Sequence, residues 1–465
     1  MRAMMCRPLY FLGVALTLAA CGSSRTPEIN MNLKEYQLTS DAKGHYLNQR
    51  QAFSPDDQWL VYDNRNDGSQ IGLNPSVEMV NIAHGEVKQV YSAPNANAFG
   101  PGVGAVAFNP KQNEILFIHG LSNYDATRPY DFTRRTGLAV DLGKNNQLVR
   151  KDARDVVPPF TPGALRGGTH AHSYSGDGRW VSFTYNDDVI AELSKTDSSK
   201  KDLRNIGVMI DKGPVAVESE TAESFGGTMF SVIVSETTES PRPGSDEIEK
   251  AYEEGWIGTN GYVKADGSHV SKALAFLGDT RAANGKLVAE VFIVDLDTNL
   301  AMADRERPLE GTTTQRPFPP AGVRQRRVTY TTDQKNPGVQ GPRQWLRCLP
   351  DGSLIFFPMK DDNGFVQVHV VSPNGGDTRQ ITHNGFSLDT SFSISADGKY
   401  LAYGYSQDVY LTNIQTGETS KVSLVRSYDS TDLENINWSN EGYVLAYNRK
   451  VVTADGAWYQ VFILK

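Results

Sequence analysis

The chain has 465 residues, a formal net charge of −8, 42 glycines, 23 prolines and three cysteines. That length leaves room for two or three ordinary domains. The acidic balance, with no basic block longer than Arg134-Arg135 or Arg326-Arg327, argues against nucleic acid as a partner, because phosphate binding wants a concentrated positive surface.

The first residues read as a targeting segment. Arg2 and Arg7 precede an apolar run, Leu9 to Leu18, that is too short to span a bilayer. The run ends in Leu18-Ala19-Ala20-Cys21, which resembles the bacterial lipobox, where the cysteine is acylated and becomes the new N-terminus. Gly22-Ser23 follow it instead of Asp, which points to the outer membrane. Residues 1–20 are therefore expected to be a lipoprotein signal peptide and 21–33 a lipidated tether, with 34–465 facing the periplasm from the bacterial envelope. Cys6 leaves with the signal and Cys21 is consumed by lipid, so Cys348 stands alone and no intramolecular disulfide is available.

From about residue 50 a strand–turn–strand unit recurs. Its copies are Phe53-Ser-Pro-Asp-Asp-Gln-Trp-Leu-Val-Tyr62, Phe108-Asn-Pro-Lys with Ile115, and Tyr174-Ser-Gly-Asp-Gly-Arg-Trp-Val-Ser-Phe183. Further on come Cys348-Leu-Pro-Asp-Gly-Ser-Leu-Ile-Phe-Phe357, Ile394-Ser-Ala-Asp-Gly-Lys-Tyr-Leu-Ala-Tyr403 and Trp438-Ser-Asn-Glu-Gly-Tyr-Val-Leu-Ala-Tyr447. A unit this small cannot bury its own apolar face, and stacked four-stranded units close into a β-propeller. A degenerate seventh copy fills the gap after the third, with strands at Gly227–Glu236, Ala273–Leu277, Val291–Val294 and Arg327–Tyr330. The fold class is thus all-β, a seven-bladed β-propeller.

Both ends support closure of the ring. Tyr36-Gln-Leu-Thr39 has the pattern of an outermost strand, as Arg379-Gln-Ile-Thr382 does, but precedes the first hairpin. Ala457–Leu464 is a third strand with no fourth, so the termini should pair to complete the last blade. The loops between second and third strands swell at Asn64–Pro75, Gly120–Thr136, Asn186–Asn205 and Thr237–Lys272, and should build a cup over one mouth of the channel. Within the last of these, Ser245 to Gly255 reads as a helix, capped by Ser245 and stopped by Gly255.

Four residues before each hairpin aromatic stand Gln49, Gly104, His170, Gln344, Thr390 and Glu434, a mostly polar row suited to a channel wall. Two further on, Gln51, Val106, His172, Leu346, Phe392 and Ile436 are mostly apolar, so His172 is out of place. On a regular strand His170 and His172 share one face, a spacing that suits either one divalent metal or hydrogen bonding in a polar channel. His119 would be the third ligand, with Glu434 and Gln49 reaching in across the channel; Mn, Zn or Ca are the ions in question. Arg166, after which come Gly167-Gly168, is expected to aim into the mouth. Tyr124, Arg128, Tyr130, Arg134 and Arg135 mix aromatics with cations, as binders of sugars or acids do. No Gly-x-Ser-x-Gly elbow and no Walker loop is present.

The hairpins resemble the TolB-like propellers of bacterial envelopes. Tyr130-Asp-Phe132, Thr161-Pro-Gly-Ala-Leu-Arg-Gly-Gly-Thr-His-Ala-His172, Val181–Asp187, Pro243–Ile248 and Ala251–Trp256 are similar to the YidR-type family, a resemblance covering about residues 50 to 465. It implies a fold and no particular reaction. A looser similarity runs to oligogalacturonate lyase, a seven-bladed propeller with a divalent metal held by histidines and a glutamine. There the glutamine stands three residues before a His-x-His pair; here Gly167 occupies that position, and Gln344 is the substitute.

Two functions follow as expectations. The first is a lipid-anchored envelope propeller binding a protein partner or acidic glycan at its cupped mouth, with Gln49, Gln344, Tyr130 and Arg134 as candidate contacts. The second is a metal-dependent lyase or hydrolase of acidic sugars. There His119, His170 and His172 hold the metal, and Arg166 or Glu434 is the base.

Overall fold

The computed structural model describes residues 33–422, 430–442 and 444–465; the segment expected to be a signal peptide, Cys21 and nearly all of the expected tether lie outside them. Seven four-stranded antiparallel sheets follow one another around a channel. Their innermost strands are Tyr46–Leu47, Val103–Phe108, Gly167–Tyr174, Ile248–Trp256, Arg347–Cys348, Ser393–Ile394 and Ser430–Trp438.

The repeated turn explains the repeat. Ser54, Ser175 and Ser395 each donate to the Asp two residues on (2.6, 2.6 and 2.7 Å). The same hydroxyls accept the N–H of Trp59, Trp180 and Tyr400, each at 3.0 Å, which starts the second strand. The residue after the Asp lies at positive φ: 73° at Gly178 and 71° at Gly398, while in the first copy Asp57 takes 54°. Glycine is the low-strain choice there, and Asp is among the few side chains that tolerate it.

The core lies between blades. Phe117 and Val140 of blade two pack on Val61 and Val77 of blade one, and Phe276 and Phe292 of blade four on Ile206 and Val208 of blade three. Each blade therefore needs both neighbours, and the ring must close. It does so as expected: Glu35–Gln37 pairs antiparallel with Gly456–Leu464, aligning Glu35 with Leu464 and Tyr36 with Ile463. Thr39 donates to Gln460 at 2.7 Å. The Glu35 carboxylate accepts from Tyr447 at 2.5 Å and from the fully buried Arg449 at 2.7 Å.

Blade four differs from the expectation. Phe230–Ile233 is the outer strand of blade three, and the segment read as a helix supplies the innermost strand of blade four, Ile248–Trp256. Two register shifts, between Ile248 and Ala251 and between Tyr252 and Gly255, break its two-residue alternation. Ile248, Ala251 and Glu254 end up buried at a spacing of three, which imitates a helical stripe. Ser245 belongs to a turn, donating to the Arg242 carbonyl at 2.7 Å. The only α-helix among the described residues is Asp188–Ser194, capped by Asp187, in the blade-three insert.

The inserts are redistributed accordingly. Blades one to three carry theirs on the mouth side, whereas Arg281 and Leu287 of blade four are joined by a short hairpin. The long connection of blade four, residues 296–324, instead reaches Arg166 through the carbonyls of Thr312 and Gln315.

Replacing Glu35 by Ala strips the buried Arg449 of its carboxylate and leaves it the Gln407 carbonyl. Removing one partner of a buried pair costs about 3–5 kcal/mol. Denaturant unfolding should register that loss across the whole domain; a change within about 0.5 kcal/mol would mean that the terminal pairing does not hold the ring.

Candidate functional site

Every innermost strand starts at the same face, and there a cavity of 520 Å³ opens. Its wall includes Tyr46 and Gln49 of blade one, Phe132 and Arg135 from the blade-two insert, and His170 of blade three. Arg204, Arg343, Trp345, Asp389 and Glu434 complete its chemistry.

The cavity has a floor, because blade one leaves its own sheet. Leu47 pairs with Tyr62 and Phe53 with Leu60, so residues 48–52 stand opposite Val61 alone. The looped-out segment crosses the channel. Arg50 donates to the Ala171 carbonyl of blade three at 2.6 Å, and to the carbonyl and carboxylate of Glu254 in blade four at 2.5 and 3.1 Å. Gln51 donates to the Tyr174 carbonyl at 2.8 Å and accepts its N–H at 2.9 Å. From blade five, Arg347 donates to the Gln49 carbonyl. The channel is thus plugged beneath the mouth by side chains of blades one, four and five bonded to one another and to the backbone of blade three.

A second device recurs in the walls. The residue after Gly104, His170, Tyr252 and Glu434 has positive φ: Ala105 at 53°, Ala171 at 59°, Glu253 at 54° and Asn435 at 55°. At each the register slips by one residue, as where His170 faces Thr184 but Ser173 faces Ser182. These are β-bulges, and they re-aim the side chains that follow.

The bulge separates the two histidines expected to act together. His170 lines the mouth, edge-on to Phe132 at 6.1 Å, and neither of its buried ring nitrogens has a partner. His172 turns under blade two, its Nε2 3.0 Å from the Thr169 hydroxyl and close against Gly137. His119 lies elsewhere, in a side cavity with Arg150 and Phe225, its Nε2 2.8 Å from Tyr91. Among the described residues no three His, Cys, Asp or Glu side chains are grouped to hold a metal. The charge is also unsuitable. Burial first, then Arg135, Arg204 and other cations, hold His170 well below the usual histidine range, and burial with Arg50 and Arg135 brings His172 to about 3. A divalent ion wants several neutral or anionic donors converging on one point, whereas His119, His170 and His172 stand apart and guanidiniums act on the last two. The residues present do not fit a divalent ion.

The other sequence candidates divide. Gln49 and Glu434 reach the mouth, Glu434 accepting from Tyr46 and, at 2.6 Å, from Tyr459. Gln344 is buried in framework bonds to the Trp345 carbonyl and the Phe392 N–H, at 2.6 and 2.7 Å. Arg134 pairs with Glu223 at 2.5 Å, on the outer side of its loop. Tyr130 packs on Gly72, Gly102 and Gly120 and supports Arg135, whose guanidinium stands 4.8 Å from its ring and 4.3 Å from that of Phe132. Arg166, expected in the mouth, is fully buried against Asp187 at 2.8 Å and clamps the 296–324 connection, so it is no base for a ligand there.

Arg204, Arg343 and Trp345 were not singled out from sequence. They stand on connections far apart in the chain, and the one available sign was that Arg343 and Trp345 flank Gln344 of the polar row. Arg343 stacks on Trp345 at 4.2 Å and approaches Glu253 at 3.7 Å. Burial pushes the Glu253 carboxyl up to about 7, against the pull of Arg343. Between about 4.5, its ordinary value, and 7, the folded state keeps a proton that the unfolded state has lost. Stability therefore falls as pH rises through that window. Glu253→Gln should match the wild type near pH 4.5 and exceed it by about 1–3 kcal/mol at pH 8. Urea midpoints with the same pH dependence in both proteins would contradict this.

Comparison with known proteins places the chain. Residues 102–225 match the family described as "Protein of unknown function (DUF3748)". Among solved structures, an oligogalacturonate lyase in complex with manganese is similar with a TM-score of 0.53, over 93% of this chain and 92% of its own, at 11% identity. The oligogalacturonate lyase of Vibrio parahaemolyticus gives 0.52, over 93% and 96%, at 10% identity. At such identities the likeness is one of fold, the seven-bladed propeller. The uncharacterized protein YidR of Escherichia coli (strain K12) is 41% identical over 414 residues, 88% of this chain and 94% of that one. The chain belongs to the YidR family of β-propellers.

Proposed function

We propose that the chain is a lipid-anchored propeller of the bacterial envelope that binds a small ligand or the end of a glycan in the cup at its mouth. One observation carries this reading. Buried polar atoms without a partner converge on that cavity: both nitrogens of His170, Nε of Arg135, Nε1 of Trp345, Oε1 of Gln49 and Oγ of Ser391. Leaving a buried polar atom unsatisfied costs about 1–3 kcal/mol, so a cluster of them is expensive unless water or a ligand completes it. The rings of Tyr46, Phe132 and Trp345 add apolar surface of the kind a ligand cavity carries beside its polar groups. The floor favours an end group over a strand threading through.

The anchor fits the same reading. Lys34 and Lys465 exchange backbone hydrogen bonds of 2.8 and 3.1 Å at the face opposite the mouth, where Trp438 and Leu464 also end. The first described residues of the propeller therefore lie on the face away from the cup. The metal-dependent lyase expected from the lyase resemblance finds no support in the donor set, and the proposal does without it.

Two measurements test it. Full-length protein in detergent should retain at least one class of envelope glycan fragment, and Trp345→Ala should weaken binding about tenfold by removing a stacking face and a donor. Retention indifferent to Trp345 would exclude the cup. Labelled palmitate should mark the wild type and not Cys21→Ser; an unlabelled wild type would exclude the anchor.

A further inference from the structure

Three arginines at the mouth carry charge that the protein compensates only from a distance. Arg135 and Arg204 have no carboxylate within ion-pair distance among the described residues; Arg204 meets the Asn186 amide oxygen at 3.3 Å and the Phe132 ring at 5.6 Å, and Arg135 meets the rings of Tyr130 and Phe132. Arg343 has Glu253 at the long distance of 3.7 Å. The neighbouring cations Arg50 and Arg65 differ, each being bonded to a buried carboxylate, Glu254 at 3.1 Å and Asp63 at 2.6 Å. Burial weighs most on Arg135 and Arg204; Arg204 then opposes Arg135 and Arg343 opposes Arg204, against the pull of Tyr130 and Asp131 on the first and of Asp202, Glu253 and Glu254, none within ion-pair distance, on the second. Arg135 is 7% exposed. Arg204 is half-buried and Arg343 reaches solvent, so the cost of the gathered charge falls mainly on Arg135, and an anion would lower it.

The opposite wall has another character. Glu434 and Asp389 line it, and Glu434 is held in place by two tyrosine hydroxyls. Acceptors on one side and guanidiniums on the other describe a ligand with an acid group at one end and hydroxyl donors at the other.

We propose that the mouth is an anion site in which Arg135, Arg204 and Arg343 seat one acid group of the ligand, with His170 beside them and Glu434 and Asp389 taking its hydroxyls. Carboxylate, phosphate ester and sulfate ester share the chemistry that guanidiniums recognise, planar and charged donors on oxygen. The inference rests on the cup reading above and narrows it. It also runs against a metal centre at His170, because a cation there would stand beside guanidiniums. The His170 ring, held neutral by burial and by these arginines, offers one donor and one acceptor.

The test uses full-length protein in detergent and four probes on one ring: glucose, glucuronate, glucose 6-phosphate and glucose 6-sulfate, titrated calorimetrically. At least one acid should bind about tenfold or more tightly than glucose, and which acid does so identifies the source of the charge. Arg343→Gln is the main variant, since that side chain is 60% exposed and its loss threatens folding least. It should weaken the preferred acid about tenfold and leave glucose unchanged, and Arg204→Gln should do the same. Manganese chloride should give no saturable heat. The inference is overturned if no acid binds at 50 mM (about the weakest range worth calling a site). Equal binding of glucose and its acids, Arg343→Gln binding as the wild type does, or manganese uptake lost in His170→Ala would each overturn it too. A neutral glycan bound through Trp345 would remove the anion inference alone; no Trp345-dependent ligand of any class would remove the cup as well.

Discussion

Arg50 and Glu254 meet across the axis of the propeller, and the rest of the mouth depends on that contact. Both are buried, 6% and 0% exposed, and Glu254 also accepts from Ser182 and Thr184 at 3.3 and 3.1 Å. A buried ion pair adds little net stability compared with apolar packing, but breaking one is costly because a charge is stranded. What this pair secures is position. It holds residues 48–52 out of their sheet and over the channel, and so turns an open bore into a cup. Trp345, with Arg50 5.4 Å from one ring and Arg343 at 4.2 Å, is placed by the same contact. The arginine closely paired across the axis builds the floor, while Arg135, Arg204 and Arg343, without a close carboxylate, line the mouth above it.

Such a division of labour suits a propeller. The blades are rigid because each buries its faces against two neighbours, and the ring has no free edge once Glu35–Gln37 joins blade seven. Local irregularity can then be concentrated on the axis. The bulges at Ala105, Ala171, Glu253 and Asn435 and the looped-out blade-one strand all lie on innermost strands, where they turn polar groups into the channel without disturbing the packing between blades.

The ring was legible in the sequence because its determinants are local. A serine hydroxyl, an aspartate two residues on and a residue at positive φ specify three of the hairpins within a few positions, and variants of that turn mark others, so copies could be aligned and the terminal strands matched. Blade four was legible only in part. Its outer three strands alternate regularly, but two bulges break the alternation of the innermost one, and with Ser245 and Gly255 reading as a cap and a stop it was lost to a false helix. That error hid Glu254, which stands two residues before Trp256 as His172 does before Tyr174, and with it the partner of Arg50. Of the site, His170, Gln49 and Glu434 were found because they sit in an alignable row. The pairing of His170 with His172 failed because a bulge is a backbone event that residue spacing does not announce. Arg204 and Arg343 were invisible for a different reason. They are brought together only by ring closure, from loops with no shared pattern.

The most direct measurement is the coupling energy between Arg50 and Glu254, obtained from the unfolding free energies of Arg50→Met, Glu254→Gln and the double variant. If the pair is the clasp of the channel, each single variant is strongly destabilised and the double is less so than their sum, with a coupling of about 2–3 kcal/mol. A coupling near zero, with the single losses simply adding, would mean that the two groups do not meet on the axis and that the cup has no floor.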